Sequence, residues 1–300
     1  MFSEHIGEFA ALFTACCWTV TALAFESASN KVGSIAVNLL RLLLALIFLS
    51  IFSFFIRGQF LPIDASANTW LWLSLSGLIG FVIGDLFLFE SYTIIGSRIS
   101  MLIMALVPPM TALLSLLMLG ETLTLFNMLG MLLTLSGIFI VIINKGNGKK
   151  VFSFVHSFKG ILFAFIGAVG QAVGLVFSKL GMGNYNAFAA TQIRIIIGII
   201  GFAIVITAWK KWKNVGNAIQ NVSALKRIGL GSIFGPFLGV SFSLFAIQHT
   251  HAGIASTIMA IVPVLIIPAS VIFLHQKVNW RDVIGAILSV CGIALFFISK

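Results

Sequence analysis

The sequence contains the same apolar pattern twice. Residues 80–145 align without a gap on residues 235–300, and 17 of the 66 aligned positions are identical. The identities include several glycines, one proline and a shared Ile-Met-Ala run. Each copy holds five apolar stretches, so the second copy must enter a membrane in the opposite orientation to the first. Inverted repeats of this kind build many alternating-access transporters.

The ten apolar stretches are each about 20 residues long, which lets a helix cross roughly 30 Å of hydrocarbon. They predict an all-α polytopic membrane protein with ten transmembrane helices, arranged as two inverted five-helix repeats. We place the repeats at residues 1–148 and 149–300, divided within a polar, glycine-containing linker. The predicted spans are residues 7–28, 35–56, 70–92, 98–118, 124–143, 159–179, 187–209, 229–248, 253–273 and 280–299.

Composition independently places the chain in a membrane. Of its 300 residues, 60% are hydrophobic and 9% are charged, whereas soluble domains carry roughly a quarter charged residues. The long apolar runs also differ from the short alternating strands of a transmembrane β-barrel. We therefore predict a multi-pass protein of the inner or plasma membrane, with the lipid bilayer as its first partner.

Positive charge is concentrated in the second copy. The net charge is +10, and residues 151–300 hold eleven Lys and Arg against one acid, Asp282. We interpret this excess as loop charge that orients the chain. We expect no nucleic-acid binding, because no stretch outside the spans is long enough to fold into a basic face. Most basic residues lie in the odd-numbered connections, which by the positive-inside rule places both termini outside the cytoplasm.

Small residues recur at matched positions of the two copies. Two Gly-x-x-x-Gly motifs occupy equivalent places, Gly80 with Gly84 and Gly235 with Gly239. Helices in lipid associate through small residues, so these motifs predict close helix packing. The same faces would also allow neighbouring helices to slide or rock, and the sequence leaves both interpretations open.

Two prolines lie inside predicted spans at equivalent places, Pro108 and Pro263. A proline within a helix removes one backbone donor and clashes with the preceding turn, so each is expected to kink its helix. The kink would serve either as a hinge or simply to shape the bundle. The sequence does not choose between these two roles.

Two acids of the third span are the sharpest functional candidates. A charge near the bilayer centre costs at least about 2.5–3.5 kcal/mol, so such residues need a partner or a role. Asp85 and Glu90 have Val240 and Phe245 as their repeat mates, so the acids occur in one copy only. We predict either a structural ion pair or a carboxylate that contacts substrate or carries a coupling proton. Five residues separate the two acids, so they cannot share one helix face.

Two arginines are the only intramembrane charges kept in both copies, Arg41 and Arg194. Their duplication favours a structural role near the interface, with substrate contact as the alternative. Glu26 and Lys179 also occupy equivalent places but differ in sign. These two side chains would either bond each other across the repeat axis or act as ordinary interfacial residues.

Several polar and aromatic side chains are candidates for lining a central cavity. They are Trp18, Tyr92, Gln171, Gln192, Ser241, Gln248 and His249. His249 and His251 lack a third ligand nearby, so we predict no metal site. No nucleophile–base constellation, phosphate loop or cofactor motif occurs, so we predict neither a cofactor nor an enzyme.

A series of motifs runs through the first copy. They are Gly84-Asp85-Leu86-Phe87, Ile95-Gly96-Ser97-Arg98, Val107-Pro108, Leu119-Gly120-Glu121-Thr122-Leu123, Gly130 and Ser136-Gly137. Together they resemble an EamA-type half of the drug/metabolite transporter superfamily. The second copy resembles a degenerate half, which keeps Pro263, Gly285 and Gly292 but has Leu274-His275-Gln276 in place of Leu-Gly-Glu.

The resemblance implies two inverted five-helix units around a central cavity. It implies export or exchange of small metabolites, amino acids or drugs by secondary transport, with ion or proton coupling or exchange. It places spans 124–143 and 280–299 outside the cavity wall, where a homodimer contact is one alternative, and makes Glu121 a structural residue. Family members commonly have cytoplasmic termini, which conflicts with the charge count. A channel and an intramembrane enzyme are the alternative functions.

Overall fold

A computed structural model describes residues 4–144, 157–262, 264–265 and 280–298. The described residues form helices and no strand. The predicted linker lies outside them. The α-helices are α1 (Ile6–Val32), α2 (Ser34–Arg57), α3 (Ala67–Gly77), α4 (Leu86–Met104), α5 (Val107–Leu119), α6 (Leu125–Asn144), α7 (Phe158–Met182), α8 (Ala187–Ala208), α9 (Trp212–Gln220), α10 (Val222–Ser232), α11 (Val240–His249), α12 (Ala252–Met259) and α13 (Trp280–Ile298).

Six helical stretches of the described residues are long and apolar enough to cross a membrane. They are Ile6–Val32, Ser34–Arg57, Ala67–Ile95, Phe158–Met182, Ala187–Ala208 and Val222–His249. Each coincides with a predicted span, although the last begins earlier than the predicted residue 229. Shorter apolar helices occupy Val107–Leu119, Leu125–Ile140 and Val283–Phe296. The predicted span 253–273 is described at residues 253–262 and 264–265, and its remainder lies outside the described residues.

Helix α4 changes direction within its length. The hydroxyl of Ser91 donates a hydrogen bond of 2.8 Å to Ser100. Residues nine apart in a straight α-helix are separated by about 13.5 Å along the axis, at 1.5 Å per residue. The backbone between the two serines must therefore bend back sharply. This bend separates the third predicted span from the fourth, although the helical backbone continues through it.

The fourth predicted span is broken rather than kinked. Helix α4 ends at Met104 and α5 begins at Val107, which puts Pro108 in the first turn of α5. A proline there removes no helical hydrogen bond, so the prediction that Pro108 kinks a continuous helix is wrong. The second copy breaks at the matching place, because α12 ends at Met259. Pro263 lies outside the described residues.

The third helix of each repeat contains a π-helical segment at the matched position. Leu78–Asp85 joins α3 to α4, and Ile233–Gly239 joins α10 to α11. The wider turn of a π-helix is rare and occurs often at functional sites. Both segments contain the Gly-x-x-x-Gly motif of their repeat. The same local distortion has thus been kept in both copies.

The glycine motif of the first repeat packs directly on α7. A Cβ atom at Gly170 would lie 2.8 Å from the Cα of Gly84, and one at Gly174 would lie 3.0 Å from the Cα of Gly80. Real Cβ atoms do not approach this closely, so only glycine allows the two backbones to meet. The predicted close packing is therefore observed, between the third helix of the first repeat and the first helix of the second.

The glycine motif of the second repeat meets larger side chains on α1. A Cβ atom at Gly235 would lie 2.9 Å from Thr21 Cγ2, and one at Gly239 would lie 2.7 Å from Trp18 Nε1. The two repeat-equivalent contacts therefore differ, since glycine faces glycine in one and bulkier residues in the other. The two repeats therefore pack differently at this position, because Gly239 contacts Trp18 whereas Gly84 contacts Gly170.

Helices α6 and α13 pair with each other through glycines. A Cβ atom at Gly130 would lie 2.9 Å from the carbonyl oxygen of Gly292, and one at Gly137 would overlap the carbonyl oxygen of Gly285. In the sequence alignment Gly130 corresponds to Gly285, and Gly137 corresponds to Gly292. Each glycine thus contacts the repeat mate of the other, which is the pattern of a two-fold axis between antiparallel helices.

The axis passes beside Thr134 and Ser289. These two residues are repeat mates, and their hydroxyls bond reciprocally to each other's backbone. Thr134 Oγ1 donates to the Ser289 carbonyl at 3.5 Å, and Ser289 Oγ donates to the Thr134 carbonyl at 3.3 Å. Mates in contact with each other must lie on the local two-fold axis.

The outer faces of α6 and α13 are apolar and exposed. Phe126 on α6 and Ile287 on α13 each retain more than half of their surface. Such faces suit contact with lipid tails, and they place these helices outside the cavity wall described below. The homodimer contact suggested for these helices stays a prediction.

Candidate functional site

A cavity of about 170 Å³ lies between the two repeats. Helices of both copies line it, together with both π-helical segments. Most of its wall is aromatic or aliphatic. Its polar and charged lining residues are Trp18, Thr21, Arg41, Asp85, Tyr92, Gln171 and Ser256.

Asp85 lies in the cavity wall at the end of the first π-helical segment and is 5% exposed. Its carboxylate forms an ion pair with Arg41 of α2. The other carboxylate oxygen accepts a hydrogen bond of 2.6 Å from Gln171 of α7. Arg41 belongs to the first repeat and Gln171 to the second. Asp85 therefore links the two repeats across the cavity.

Asn38 holds this ion pair in place. Its side-chain oxygen accepts from Nε of Arg41 at 3.0 Å, and its side-chain nitrogen donates to the backbone carbonyl of Asp85 at 3.4 Å. Asn38 is fully buried. Buried polar groups of this kind need complete hydrogen bonding, and Asn38 supplies part of it for both members of the pair.

The Arg41 guanidinium is surrounded by phenyl rings. Its central carbon lies 4.7 Å from the ring centre of Phe89, 5.6 Å from Phe25 and 5.8 Å from Phe81. Aromatic faces attract cations at these distances, by up to about 2 kcal/mol when water is excluded. The rings and the Asp85 carboxylate together compensate for the buried charge of Arg41.

A second buried guanidinium lies behind the wall. Arg194 of α8 is 4% exposed and stacks 4.6 Å over Phe81, but it does not line the cavity. Its Nε makes no hydrogen bond within the described part of the chain. Arg41 faces the same ring, so the two guanidinium carbons are at most about 10 Å apart. At an effective dielectric constant of ~20, two such charges repel by roughly 1.7 kcal/mol.

The other two predicted acids lie away from the Asp85 pair. Glu90 is half-buried and accepts a hydrogen bond of 2.7 Å from Ser34 at the start of α2. Glu26 is half-buried on α1 near Tyr92. Neither acid lines the cavity. Asp85 and Glu90 thus contact different neighbours, as their five-residue spacing on the helix predicts.

The remaining cavity candidates divide into two groups. Trp18, Tyr92 and Gln171 line the cavity. Ser241 is buried elsewhere, and its hydroxyl has no hydrogen-bond partner in the described residues. His249 is exposed at the end of α11, where its ring nitrogen lies 2.9 Å from a backbone carbonyl. Of the two glutamines also considered, Gln192 bonds a loop carbonyl beyond α2 and Gln248 bonds one beyond α7.

The breaks in the fourth helix of each repeat also face the cavity. Met104 and Ala105 line it at the first break, and Met259 and Ala260 line it at the second. Because α4 ends at Met104 and α5 begins at Val107, the backbone carbonyls of residues 104 and 105 lie at a helix end and lack the usual helical hydrogen bond. A helix that is broken beside a central cavity is also a feature of transporters with discontinuous helices.

Lys179 bonds Glu121, not Glu26. Lys179 forms an ion pair with Glu121 and donates to the backbone carbonyl of Thr250. Glu121 also accepts a 2.8 Å hydrogen bond from the N–H of Ala252, at the start of α12. The alternative that joined Glu26 to Lys179 is wrong, because the Lys179 ammonium pairs with Glu121.

These contacts belong to one end of the bundle, which we call the terminus end because α1 begins there. Glu8 of α1 accepts a 3.0 Å hydrogen bond from Thr250. Asp64, in the loop after α2, accepts a 2.8 Å hydrogen bond from Tyr185, in the loop after α7, and it also pairs with Arg57. Two of these contacts lie within one repeat, Lys179 with Thr250 and Asp64 with Arg57, and the others join the first repeat to the second. Polar bonds thus join the two repeats at the terminus end.

The sequence reasoning missed several residues of the site. Asn38 and the three phenyl rings around Arg41 were not singled out. Asn38 precedes Arg41 by three residues, which on a helix places both on one face, so a search around each intramembrane charge would have found it. The phenylalanines carried no such signal, because phenylalanine is frequent throughout the chain. Among the described residues, no group of three His, Cys, Asp or Glu side chains is arranged to hold a metal.

The family comparison and two related proteins all indicate a transporter. The model of the EamA-like transporter family matches residues 5–143 and 158–298, once for each repeat. An uncharacterized transporter of Archaeoglobus fulgidus is 23% identical over 72% of this chain and 74% of its own length. An uncharacterized transporter of Clostridium kluyveri is 28% identical over 44% of this chain and 42% of its own.

A crystal structure of another protein shares the fold. It superposes with a TM-score of 0.73, covering 99% of this chain and 98% of the other, at 19% sequence identity. The family match confirms the resemblance seen in the motifs of the first copy. The names of the family and of the relatives indicate transport rather than catalysis.

Proposed function

Because the chain belongs to the EamA-like transporter family, we propose that it is a secondary transporter of the inner or plasma membrane. It moves a small metabolite, amino acid or drug-like solute by alternating access, with ion or proton coupling or exchange. The observation that carries this proposal is the cavity between the repeats, where Asp85 bonds Arg41 of one repeat and Gln171 of the other. Because Asp85 bonds both repeats beside the cavity, a solute that binds there and changes these bonds would also change the relative position of the repeats.

The proposed architecture is ten helices in two inverted five-helix repeats. The antiparallel pairing of α6 with α13, through Thr134 and Ser289 on a local two-fold axis, supports the inversion. The bend within α4 supports the separation of the third and fourth helices. The matched breaks and π-helical segments support the equivalence of the two units.

Alternating access then requires the contacts at the terminus end to break. Glu121 with Lys179, and Glu8 with Thr250, join the two repeats there. When the repeats rock, these bonds separate and the cavity becomes accessible from the terminus end. The glycine contact between α7 and the third helix of the first repeat contains no side chain to interlock, so it suits a pivot.

Asp85 is the proposed coupling residue. Protonation of its carboxyl would weaken the bonds to both Arg41 and Gln171, and so loosen one repeat from the other. A charged solute group at Arg41 would have the same effect by competing with the carboxylate. Either event gives the differential binding energy that a conformational change requires.

The test is proton-linked flux in reconstituted vesicles. Asp85→Asn should abolish pH-driven uptake while the protein still inserts, and Lys213→Gln, at an exposed position of α9, should leave it intact. Unchanged pH-driven uptake in Asp85→Asn would contradict the coupling role. A conductance that does not saturate would indicate a channel, and turnover without a sealed compartment would indicate an enzyme. A protein that transports nothing but tolerates every acid-to-amide change would be a scaffold.

A further inference from the structure

We infer that the cavity binds a small apolar monocarboxylate, whose carboxylate contacts Arg41 and whose body packs against the aromatic wall. The inference rests on the proposed transport function for its physiological meaning, but the binding site itself is argued from charge and shape. It names a substrate class that the family match leaves open.

Positive charge exceeds negative charge around the Phe81 ring. Arg41 and Arg194 both face this ring, and both are at least nine-tenths buried. Asp85 is the buried carboxylate next to them. Two cations thus share one anion in a low-dielectric region. Buried charges require compensation, so a ligand with one negative charge would balance the second guanidinium.

The position of the Arg41 guanidinium excludes a cationic ligand. An acid beside several aromatic rings resembles a site for an organic cation. That arrangement is already occupied, because the Arg41 guanidinium itself lies among the rings of Phe25, Phe81 and Phe89. A cationic ligand would add a third positive charge to a site with one carboxylate.

Arg41 has one guanidinium nitrogen for which no hydrogen bond to the protein is described. The hydrogen bonds described for this side chain use Nε, which contacts Asn38, and Nη2, which contacts Asp85. Arg41 also lines the cavity. Its remaining nitrogen, Nη1, is therefore the group that can donate to a ligand carboxylate, a geometry that guanidinium serves well.

The volume and the apolar lining of the cavity limit the ligand to a small apolar body. The cavity measures about 170 Å³, whereas pockets for drug-sized ligands span roughly 300–1,000 Å³. An engineered apolar cavity of about 150 Å³ in another protein binds benzene. Trp18, Met104 and Met259 offer an apolar wall opposite few polar groups. A single ring or a branched aliphatic chain bearing one carboxylate matches these dimensions.

The test uses three ligands of one shape and different charge. Benzoate, benzamide and benzamidinium are titrated into the purified full chain in detergent, and binding is measured by calorimetry and by thermal stabilisation. We expect benzoate to bind at least about tenfold more tightly than benzamide, and benzamidinium not to bind. Equal affinities, preference for benzamidinium, or no binding by any of the three would overturn the inference.

Variants locate the bound carboxylate. Arg41→Gln should reduce benzoate binding to the level of benzamide, while Arg227→Gln, an exposed arginine on α10, should leave it unchanged. Asp85→Asn leaves Arg41 without its internal anion, so benzoate should raise the thermal stability of this variant more than that of the natural chain. Equal stabilisation of the two proteins by benzoate would place the carboxylate elsewhere.

The outcome separates the inference from the proposed function. Charge-selective binding without any flux in sealed vesicles would retain the anion site and reject transport. Flux of a neutral or cationic solute that benzoate does not inhibit would retain transport and reject the anion site. The wild-type ligand series needs no variant, so a variant that fails to fold leaves the test complete.

Discussion

Replacing Asp85 by asparagine should destabilise the protein strongly, even before transport is considered. The substitution keeps the shape of the side chain but removes the negative charge that compensates for Arg41. Both side chains are at most 7% exposed, so the guanidinium remains buried without an anion. Breaking such a pair by removing one partner typically costs about 3–5 kcal/mol. The neighbouring phenyl rings and Asn38 offset part of this cost, so we expect a value near the lower limit, about 3 kcal/mol.

The control is the same substitution at a surface pair. Asp64 pairs with Arg57, but 40% of its side chain is exposed, and exposed pairs contribute about 0–1 kcal/mol. The free energy of unfolding is measured by titration with a denaturing detergent in mixed micelles. Asp85→Asn should lose several times more than Asp64→Asn. The double variant Arg41→Gln/Asp85→Asn should recover much of the loss, because neither charge is then unpaired.

Two results would refute this reasoning. If Asp85→Asn costs no more than Asp64→Asn, the Arg41 charge is compensated by water or by another group, and the cavity is wetter than its wall indicates. If the double variant is as unstable as the sum of the two single variants, the pair does not act as a coupled unit. Either outcome would also weaken the charge-balance argument for an anionic ligand.

Three further predictions follow from the packing and the polar contacts. Gly137→Ala should destabilise by about 1–3 kcal/mol in thermal unfolding, because its Cβ would overlap α13, whereas Gly216→Ala, with nothing within 4 Å, should be neutral or stabilising by up to about 1 kcal/mol. Glu121→Gln or Lys179→Gln should shift the equilibrium at the terminus end about tenfold toward the state in which the repeats are separated there, since bonds to charged groups are worth about 1.5–3 kcal/mol. Exchanging the two charges in one double variant should restore the flux measured in reconstituted vesicles. The hydrogen bond from the neighbouring guanidinium lowers the pKa of Asp64, so its stabilising effect is present above about pH 3.9, the value in unfolded chains, and is lost as the pH falls through the lowered value. Asp64→Asn should abolish that acid dependence, measured by unfolding between about pH 3 and pH 6.

Much of the helical fold was predictable because the bilayer leaves few options. Backbone groups in hydrocarbon must be bonded internally, so every long apolar stretch has to be helical. The spans at 35–56 and 187–209 accordingly match Ser34–Arg57 and Ala187–Ala208. The break before Pro108 was not predictable in the same way. A proline is compatible with a kink or with a first helical turn, and the choice depends on whether neighbouring helices leave the freed carbonyls facing a cavity.

The candidate site was predictable in its charges but not in its pairing. Intramembrane charges are costly, so Asp85, Arg41 and Arg194 were recognisable from composition alone. The sequence places Glu26 and Lys179 at equivalent positions, which suggested contact between them. Only the tertiary structure shows that Glu121 is the partner of Lys179.

The sequence by itself determined that this chain is a helical membrane protein built as two related halves, because hydrophobic length and a 66-residue internal alignment, offset by 155 residues, are properties of the chain alone. It also determined which buried positions carry charge. The tertiary structure decided which charges meet, because ion pairs join residues from different helices and even from different repeats. It also decided that one carboxylate serves Arg41 beside a second buried guanidinium, an imbalance that no linear pattern of residues reveals.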